Sequence, residues 1–293
     1  MPRWAALLLC LVLPALPGCR GGRERRIVVG SKNFTEQIIL AELLAQQMES
    51  RTNLRVERRV NLGGTLICQQ ALRAGEIDLY VEYTGTALTV VLGEPPSSDP
   101  AAVYGRVKKA YAERFGFEVG EPLGFNNTFA MVIRGEDARQ RKLRTISEIA
   151  PYAPRWRAGF GYEFMERPDG YRGWVQAYGL RFAGPPRIMD LGLIYRALKE
   201  KQVDIVAGNS TDGLIAALDL AVLEDDRHYF PPYEAVPIIR REALARHPEL
   251  RELLRGLAGR LSEADMRRLN YAVDGERRDV AQVVREFRQA KGL

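Results

Sequence analysis

The chain has 293 residues, 46% hydrophobic and 27% charged, which is enough for two domains or one large one with a full apolar core. Its formal charge is +6, from 43 Lys and Arg against 37 Asp and Glu. The basic residues are scattered among acids, and the one dense cluster, Arg20 to Arg26, sits in a short Gly-containing stretch. No basic helix with interleaved aromatics is present, so a nucleic-acid partner, which needs several phosphate contacts on one face, is not expected.

The first eighteen residues read as an export signal, set apart from the fold. Arg3 gives the positive start, and Ala5 to Leu13 form an apolar stretch too short to span a bilayer. Leu16-Pro17-Gly18-Cys19 resembles the lipobox of bacterial lipoproteins, with Pro17 a less usual choice. That resemblance implies that Cys19 becomes the lipid-modified first residue, anchoring the chain to a membrane on its extracytoplasmic side; ordinary cleavage and secretion is the alternative. Cys10 leaves with the signal, so Cys68 is the one free thiol expected in the mature chain, with no disulfide and no cysteine metal cluster. His228 and His247 have no metal-ligand partner at useful spacing, and neither a metal nor a cofactor is expected.

After a linker over residues 19–26, Ile27 to Gly30 reads as a continuous apolar strand. A helix follows from about Thr35, a plausible N-cap, to Ser50, with Ile38, Leu40, Ala41, Leu44 and Met48 on its apolar face. Leu54 to Val60 is a second strand, and Thr65 caps a helix carrying Cys68. Ile77 to Val81 is a third strand, short and buried, that runs into Tyr83, Thr84 and Thr86. The β-α-β-α-β alternation predicts a mostly parallel sheet, whose strand ends are where ligands bind.

A Pro- and Ser-rich loop precedes a helix over about 101–115, and Asn126-Asn127 lead into a strand from Thr128 to Ile133. Thr145 to Glu148 carries a capping-box pattern. A strand near Gly159, a helix after Asp190 and a strand from Val203 to Ala207 complete a second β/α unit. The segment Asp219 to Leu223 and Pro231-Pro232 suggest a return toward the first unit, and Ser262 to Asp265 is a further N-cap signature in a helical C-terminal region.

The segment ALRAGEIDLYVEYTG, from Ala71, has a near-copy in ALKEKQVDIVAGNSTDG, from Ala197. The alignment puts Asp78 on Asp204 and Tyr83 on Asn209, so two similar α/β lobes are expected to face each other, Tyr83 and Asn209 on opposite walls of one cleft. No nucleophile elbow, phosphate-cradling loop or paired-histidine motif is visible. The loops offer aromatic and cationic groups instead: Lys32, Tyr83, Phe129, Arg167 and Tyr233. Such a set suits a ligand with both a cation and an anion. A quaternary ammonium has no N–H to donate, so aromatic faces hold it, while a carboxylate prefers Lys or the planar Arg fork.

SKNFTEQ (Ser31–Gln37), DLYVEYTGTAL (Asp78–Leu88), NNTFA (Asn126–Ala130), ERPDG (Glu166–Gly170), STDG (Ser210–Gly213) and LEDDRHYFPPY (Leu223–Tyr233) together resemble the substrate-binding proteins of osmoprotectant ABC importers. The resemblance covers nearly the whole mature chain, in order. It implies a two-lobed, type II-like periplasmic-binding-protein fold, each lobe a β-sheet flanked by helices, closing over its ligand by a hinge. The implied boundaries are residues 27–127 plus 231–293 for the first lobe and 128–230 for the second. Implied too are a quaternary-ammonium or betaine-type ligand and delivery to importer permease subunits.

By the same resemblance Tyr83 and Tyr233 match aromatic cage positions, Lys32 and Thr86 polar contacts, and Arg167 a carboxylate contact. Phe129 stands where the family's betaine binders usually carry Tyr, and Asn209 where a fourth cage Tyr is expected. The ligand is then a compact betaine, choline or carnitine, or a bulkier zwitterion such as ergothioneine. Glu82, Asp169 and Asp212 are read as structural acids, and Asn33 and Glu36 as organisers of the loop and helix start. An enzyme using Cys68 on the same fold, and a ligand-sensing domain of a regulator, are the competing classes. The placement of Cys68 inside a helix counts against the first, and the exported N-terminus against the second.

Overall fold

The computed structural model describes residues 25–293 together with Met1; the signal segment and Cys19 lie outside the described residues. Two five-stranded sheets organise the chain. The first holds β1 (Arg26–Gly30), β2 (Arg55–Arg59), β3 (Leu79–Tyr83), β4 (Phe117–Val119) and β10 (Ala235–Arg240), in the order β2-β1-β3-β10-β4. The second holds β5 (Phe129–Arg134), β6 (Ala158–Phe160), β7 (Arg187–Ile188), β8 (Ile205–Asn209) and β9 (Leu220–Leu223), in the order β7-β6-β8-β5-β9.

The parallel alternation holds for β1 with β2 and β3, and for β6 with β7 and β8. Both sheets are nevertheless mixed. β10 runs antiparallel to β3 and β4, and β5 antiparallel to β8 and β9, because these strands enter from the other sheet rather than through a local helical crossover. Asp219 to Leu223 is therefore not yet a return: β9 closes the edge of the second sheet, and the chain recrosses only after Pro231. The two crossings run side by side, with Asn127 N–H donating to the Tyr233 carbonyl at 3.0 Å and an isolated bridge between Asn126 and Glu234.

The internal repeat has a structural basis. In the first sheet the Asp78 Oδ2 accepts from the Val28 N–H at 2.9 Å, and Asp78 Oδ1 accepts from Arg246 at 2.9 Å. In the second, Asp204 Oδ2 accepts from the Arg157 N–H at 2.9 Å, and Asp204 Oδ1 accepts from Arg134 at 2.8 Å. Each aspartate ties the start of one strand to its parallel neighbour and anchors an arginine. β3 and β8 are thus equivalent strands in separate sheets, both two residues later than the sequence suggests, which carries Tyr83 and Asn209 to their carboxyl ends.

Two expected N-caps are differently built. Phe34 occupies the cap position of the helix Thr35–Arg51, and the Thr35 hydroxyl donates instead to Asp274 Oδ1 at 2.6 Å. Gly64 caps the helix Thr65–Ala74; Glu163 Oε1, from the other lobe, accepts from the Thr65 N–H at 2.8 Å. At Thr145 only the reverse half of the capping box forms, with Glu148 accepting from the Thr145 N–H at 3.0 Å. The Ser262–Asp265 box is complete. Apolar side chains of Thr35–Arg51, including Ile39, Leu40, Leu43, Leu44 and Met48, are fully buried, and the C-terminal helices Glu263–Asp274 and Val280–Lys291 pack on this helix.

Candidate functional site

A cavity of about 200 Å³ lies between the two sheets at the ends of β3 and β8. All seven residues singled out in the sequence, Lys32, Tyr83, Thr86, Phe129, Arg167, Asn209 and Tyr233, line it. Lys32 reaches it from the turn after β1, Tyr83 ends β3, and Thr86 sits in the helical turn that follows. Phe129 opens β5 and pairs in register with Asn209 at the end of β8. Arg167 follows the short helix Tyr162–Glu166, and Tyr233 lies on the second crossing.

Each cation is held from behind by a buried acid. Lys32 pairs with the fully buried Glu82 and donates to Thr65 Oγ1 at 2.9 Å. Arg167 makes a bidentate pair with Asp169 (2.8 and 2.6 Å) and donates through Nη1 to Thr86 Oγ1 at 3.0 Å. Burial, the largest influence on Arg167, works against its charge, but the Asp169 pair more than offsets it. Burial likewise opposes the charge of Asp169, and Arg167 with Tyr233 holds its carboxyl below the usual range. Three of the five guanidinium N–H groups are thereby used, leaving two for an acceptor in the cavity, with one further N–H from Lys32. That is donor chemistry for a carboxylate.

The aromatic groups stand beside these cations. The Arg167 guanidinium carbon lies 4.9 Å from the Phe129 ring centroid and 5.6 Å from that of Tyr233, and Lys32 Nζ lies 5.1 Å from that of Tyr83. Phe34 stacks on Tyr83 at 6.4 Å, and Phe164 meets Phe129 edge-on at 4.9 Å. Since the pairs Lys32–Glu82 and Arg167–Asp169 carry no net charge, the remaining ionisable lining residues are Glu163 and Asp190, both acidic. The cavity therefore combines aromatic surface, an acidic bias and a localised donor cluster. This suits a zwitterion.

Phe34, Tyr162, Phe164 and Asp190 were missed in the sequence. Phe34 lay inside a quoted motif, but a single Phe before a helix carries no periodic signal; Phe164, on the short helix Tyr162–Glu166, is a core residue, 2% exposed, that also lines the cavity. Of the acids read as structural, pairing an arginine or capping a helix, Asp169 pairs with Arg167, whereas Glu82 pairs with Lys32 and Asp212 accepts from the Tyr195 hydroxyl and the Asn209 N–H. Cys68 is fully buried in its helix, and burial pushes its thiol up to about 12. Such a thiol is a poor nucleophile at neutral pH. No group of three His, Cys, Asp or Glu side chains among the described residues could hold a metal, and none of their helices is long and apolar enough to cross a membrane.

A second cavity adjoins this one and shares Asn33, Phe34, Asp190, Leu191 and Asn209 with it; Glu36, Tyr195, Asp212, Asp274 and Arg277 also line it. Asp212 accepts from the Tyr195 hydroxyl and, at 3.0 Å, from the Asn209 N–H, fixing the end of β8. Burial pushes its carboxyl from 3.8 up to about 6, against those hydrogen bonds. Below about pH 4 the group is protonated in the folded and unfolded chain alike. Between there and pH 6 the unfolded chain gives up the proton first, so stability falls as pH rises through this window and the loss is complete above it. Relative to Asp212→Asn, the wild type should lose about 3 kcal/mol across that window, read from urea denaturation at a series of pH values. A difference that stays flat with pH would show that Asp212 does not titrate there.

The match to known proteins covers the same span. Residues 25–290 match the family model described as the substrate-binding domain of an ABC-type glycine betaine transport system. The chain belongs to that family. It is 37% identical over 279 residues to the carnitine transport binding protein OpuCC of Listeria monocytogenes, covering 94% of this chain and 90% of that one. It is 33% identical over 271 residues to the ergothioneine transport permease/ergothioneine binding protein EgtU of Helicobacter pylori, covering 92% of this chain but 48% of that protein. A crystal structure of a glycine betaine/carnitine/choline ABC transporter superposes with a TM-score of 0.76 at 34% identity, over 90% of this chain and 98% of that one. The chain thus has the two-lobed solute-binding fold and is a transport-system binding protein by family.

Proposed function

We propose that this chain captures a quaternary-ammonium or betaine-type solute outside the cytoplasm and hands it to the membrane subunits of an ABC importer. The observation that carries the reading is the pairing, in one cavity, of aromatic side chains with an Arg167–Lys32 donor cluster whose charges are balanced from behind. Tyr83, Phe129 and Tyr233 would face the cationic head; Lys32, Thr86 and Arg167 would hold the anionic or polar end. The lobes are residues 27–127 with 231–293, and 128–230, a division supported by the strand membership of the two sheets. Hydrogen bonds that cross the cavity, Arg167 to Thr86 and the Thr65 N–H to Glu163, supply contacts that a hinge between the crossings would make and break. The buried, helix-bound Cys68 and its raised thiol favour this reading over an enzyme.

A second ligand reading rests on Asn209. With no ring there, the cavity wall is thinned toward the second cavity, which favours a bulkier zwitterion such as ergothioneine or carnitine. A thermal-shift panel of glycine betaine, choline, carnitine, ergothioneine and amino acids separates the two: a ligand stabilises with the logarithm of its excess over Kd. Shifts with quaternary amines only are expected, and the largest shift names the ligand. A panel in which only amino acids stabilise the protein would refute both. The anchor is proposed through Cys19: Cys19→Ser should move the protein from the membrane to the soluble exported fraction, and a wild type already soluble would remove the anchor.

A further inference from the structure

Two of the three tyrosines that line the cavity give their hydroxyl to a buried carboxyl group. Tyr83 donates to Glu36 Oε1 at 2.6 Å, and Tyr233 donates to Asp169 Oδ2 at 2.6 Å. Glu36 is 2% exposed, lies outside this cavity but lines the adjoining one, and burial raises its carboxyl against the hydrogen bonds that favour the carboxylate. Its carboxyl also accepts from Asn127 Nδ2 at 2.7 Å and from Asn270 Nδ2 at 3.1 Å; Asn270 donates as well to the Thr211 carbonyl at 3.0 Å. These donors come from β3, the first crossing and the helix Glu263–Asp274, so one side chain is fixed by three separate parts of the molecule.

We infer that Glu36 is a positioning residue that tunes Tyr83 for cation recognition. This rests on the quaternary-amine reading of the site and adds the source of its selectivity for charge. Cation–π attraction depends on electron density on the ring face. A phenol whose O–H donates to a carboxylate is polarised toward phenolate, which raises that density, and hydrogen bonds in a low-dielectric interior strengthen this polarisation. The same bond fixes the ring and commits the phenol proton, so Tyr83 offers the cavity its ring, beside Lys32 Nζ at 5.1 Å from the centroid, and not a hydrogen-bond donor. Phe34, stacked on Tyr83, restrains the ring from a further side. Tyr233 repeats the device, but Asp169 also neutralises Arg167, so only Glu36 isolates it.

A ligand pair matched in shape and different in charge tests this: glycine betaine against tert-butylacetate, its carbon analogue, or choline against the alcohol with a quaternary carbon in place of nitrogen. Two variants are compared with the wild type by calorimetry. Glu36→Gln keeps the shape, and the Asn270 Oδ1, without a partner among the described residues, can accept from the new amide if the Asn270 side chain turns over, at the cost of its bond to the Thr211 carbonyl. Tyr83→Phe keeps the Glu36 carboxylate and removes only the tether, so it serves also if the first variant folds poorly. Each variant should weaken the quaternary-ammonium ligand three- to tenfold while weakening its carbon analogue less than twofold, and the double variant should be no worse than the singles, as expected for one shared interaction.

Equal losses for both ligands would mean that Glu36 only holds the structure, and that would overturn the proposal. So would a Tyr83→Phe protein with full preference for the cation, since Glu36 would then act as a bare charge. If the wild type binds neither charged ligand, the compact quaternary-amine reading itself falls, a result distinct from the other two.

Discussion

Arg167→Ala should abolish useful binding of carboxylate-bearing ligands, with a loss of more than a hundredfold for glycine betaine or carnitine. The guanidinium has a buried bidentate bond to Asp169, a bond to Thr86 and two N–H groups that these bonds leave unused at the cavity it lines, so its removal deletes the anion site and strands Asp169. Breaking a buried pair from one side costs about 3–5 kcal/mol. Part of that cost falls on folding, which a lowered midpoint in urea would record. The remainder falls on the ligand carboxylate, so choline, which has none, should lose at least tenfold less than glycine betaine in parallel titrations. Arg167→Lys should restore folding better than binding, because an ammonium cannot reproduce the planar fork. Equal losses for choline and betaine would place the carboxylate elsewhere.

Tyr83→Ala should weaken a trimethylammonium ligand roughly ten- to thirtyfold, the worth of one desolvated aromatic face. It also removes a ring packed against Phe34 and a donor to Glu36, and large-to-small changes of this kind cost about 3–5 kcal/mol of stability. Affinity is therefore to be measured well below the melting midpoint. Tyr83→Phe keeps the face and should lose no more than tenfold. If the alanine and phenylalanine variants bind alike, the Tyr83 face is not part of the cation site.

Two of the cleft residues, Tyr83 and Asn209, were legible because they lie in two copies of one strand-end unit; Lys32, Thr86, Phe129, Arg167 and Tyr233 lie outside the copies and were legible only through residue type and the motifs that carry the family resemblance. Asp78 and Asp204 mark equivalent strand starts, so Tyr83 and Asn209, aligned in the repeat, come to the same cavity. The expectations of an export signal, a single thiol in the mature chain and no catalytic motif rest on residue types alone. Strand direction was not legible: β5 and β10 read locally like any other apolar strand, and only the crossings at Asn127 and Tyr233 reverse them. Nor were the partners of Glu36, Thr35 and Thr65, whose bonds come from distant segments; a polar residue at a helix start reads as a cap whether or not it makes one. Phe34 and Phe164 were hidden for a related reason, since an aromatic residue at a cavity edge is indistinguishable in sequence from one in the core.

The central claim is that this site recognises a fully methylated nitrogen by aromatic faces. It is tested most directly by calorimetric titration with the strongest binder of the ligand panel and with the same molecule after its N-methyl groups are replaced by hydrogen. An ammonium with N–H groups facing aromatic rings leaves those donors unpaired and desolvated, a cost of about 1–3 kcal/mol by mutational measures. The trimethylated ligand should therefore bind at least tenfold more tightly than its unmethylated counterpart, with the partly methylated forms in between. An unmethylated amine that binds as tightly as the quaternary compound, or more so, would contradict the account.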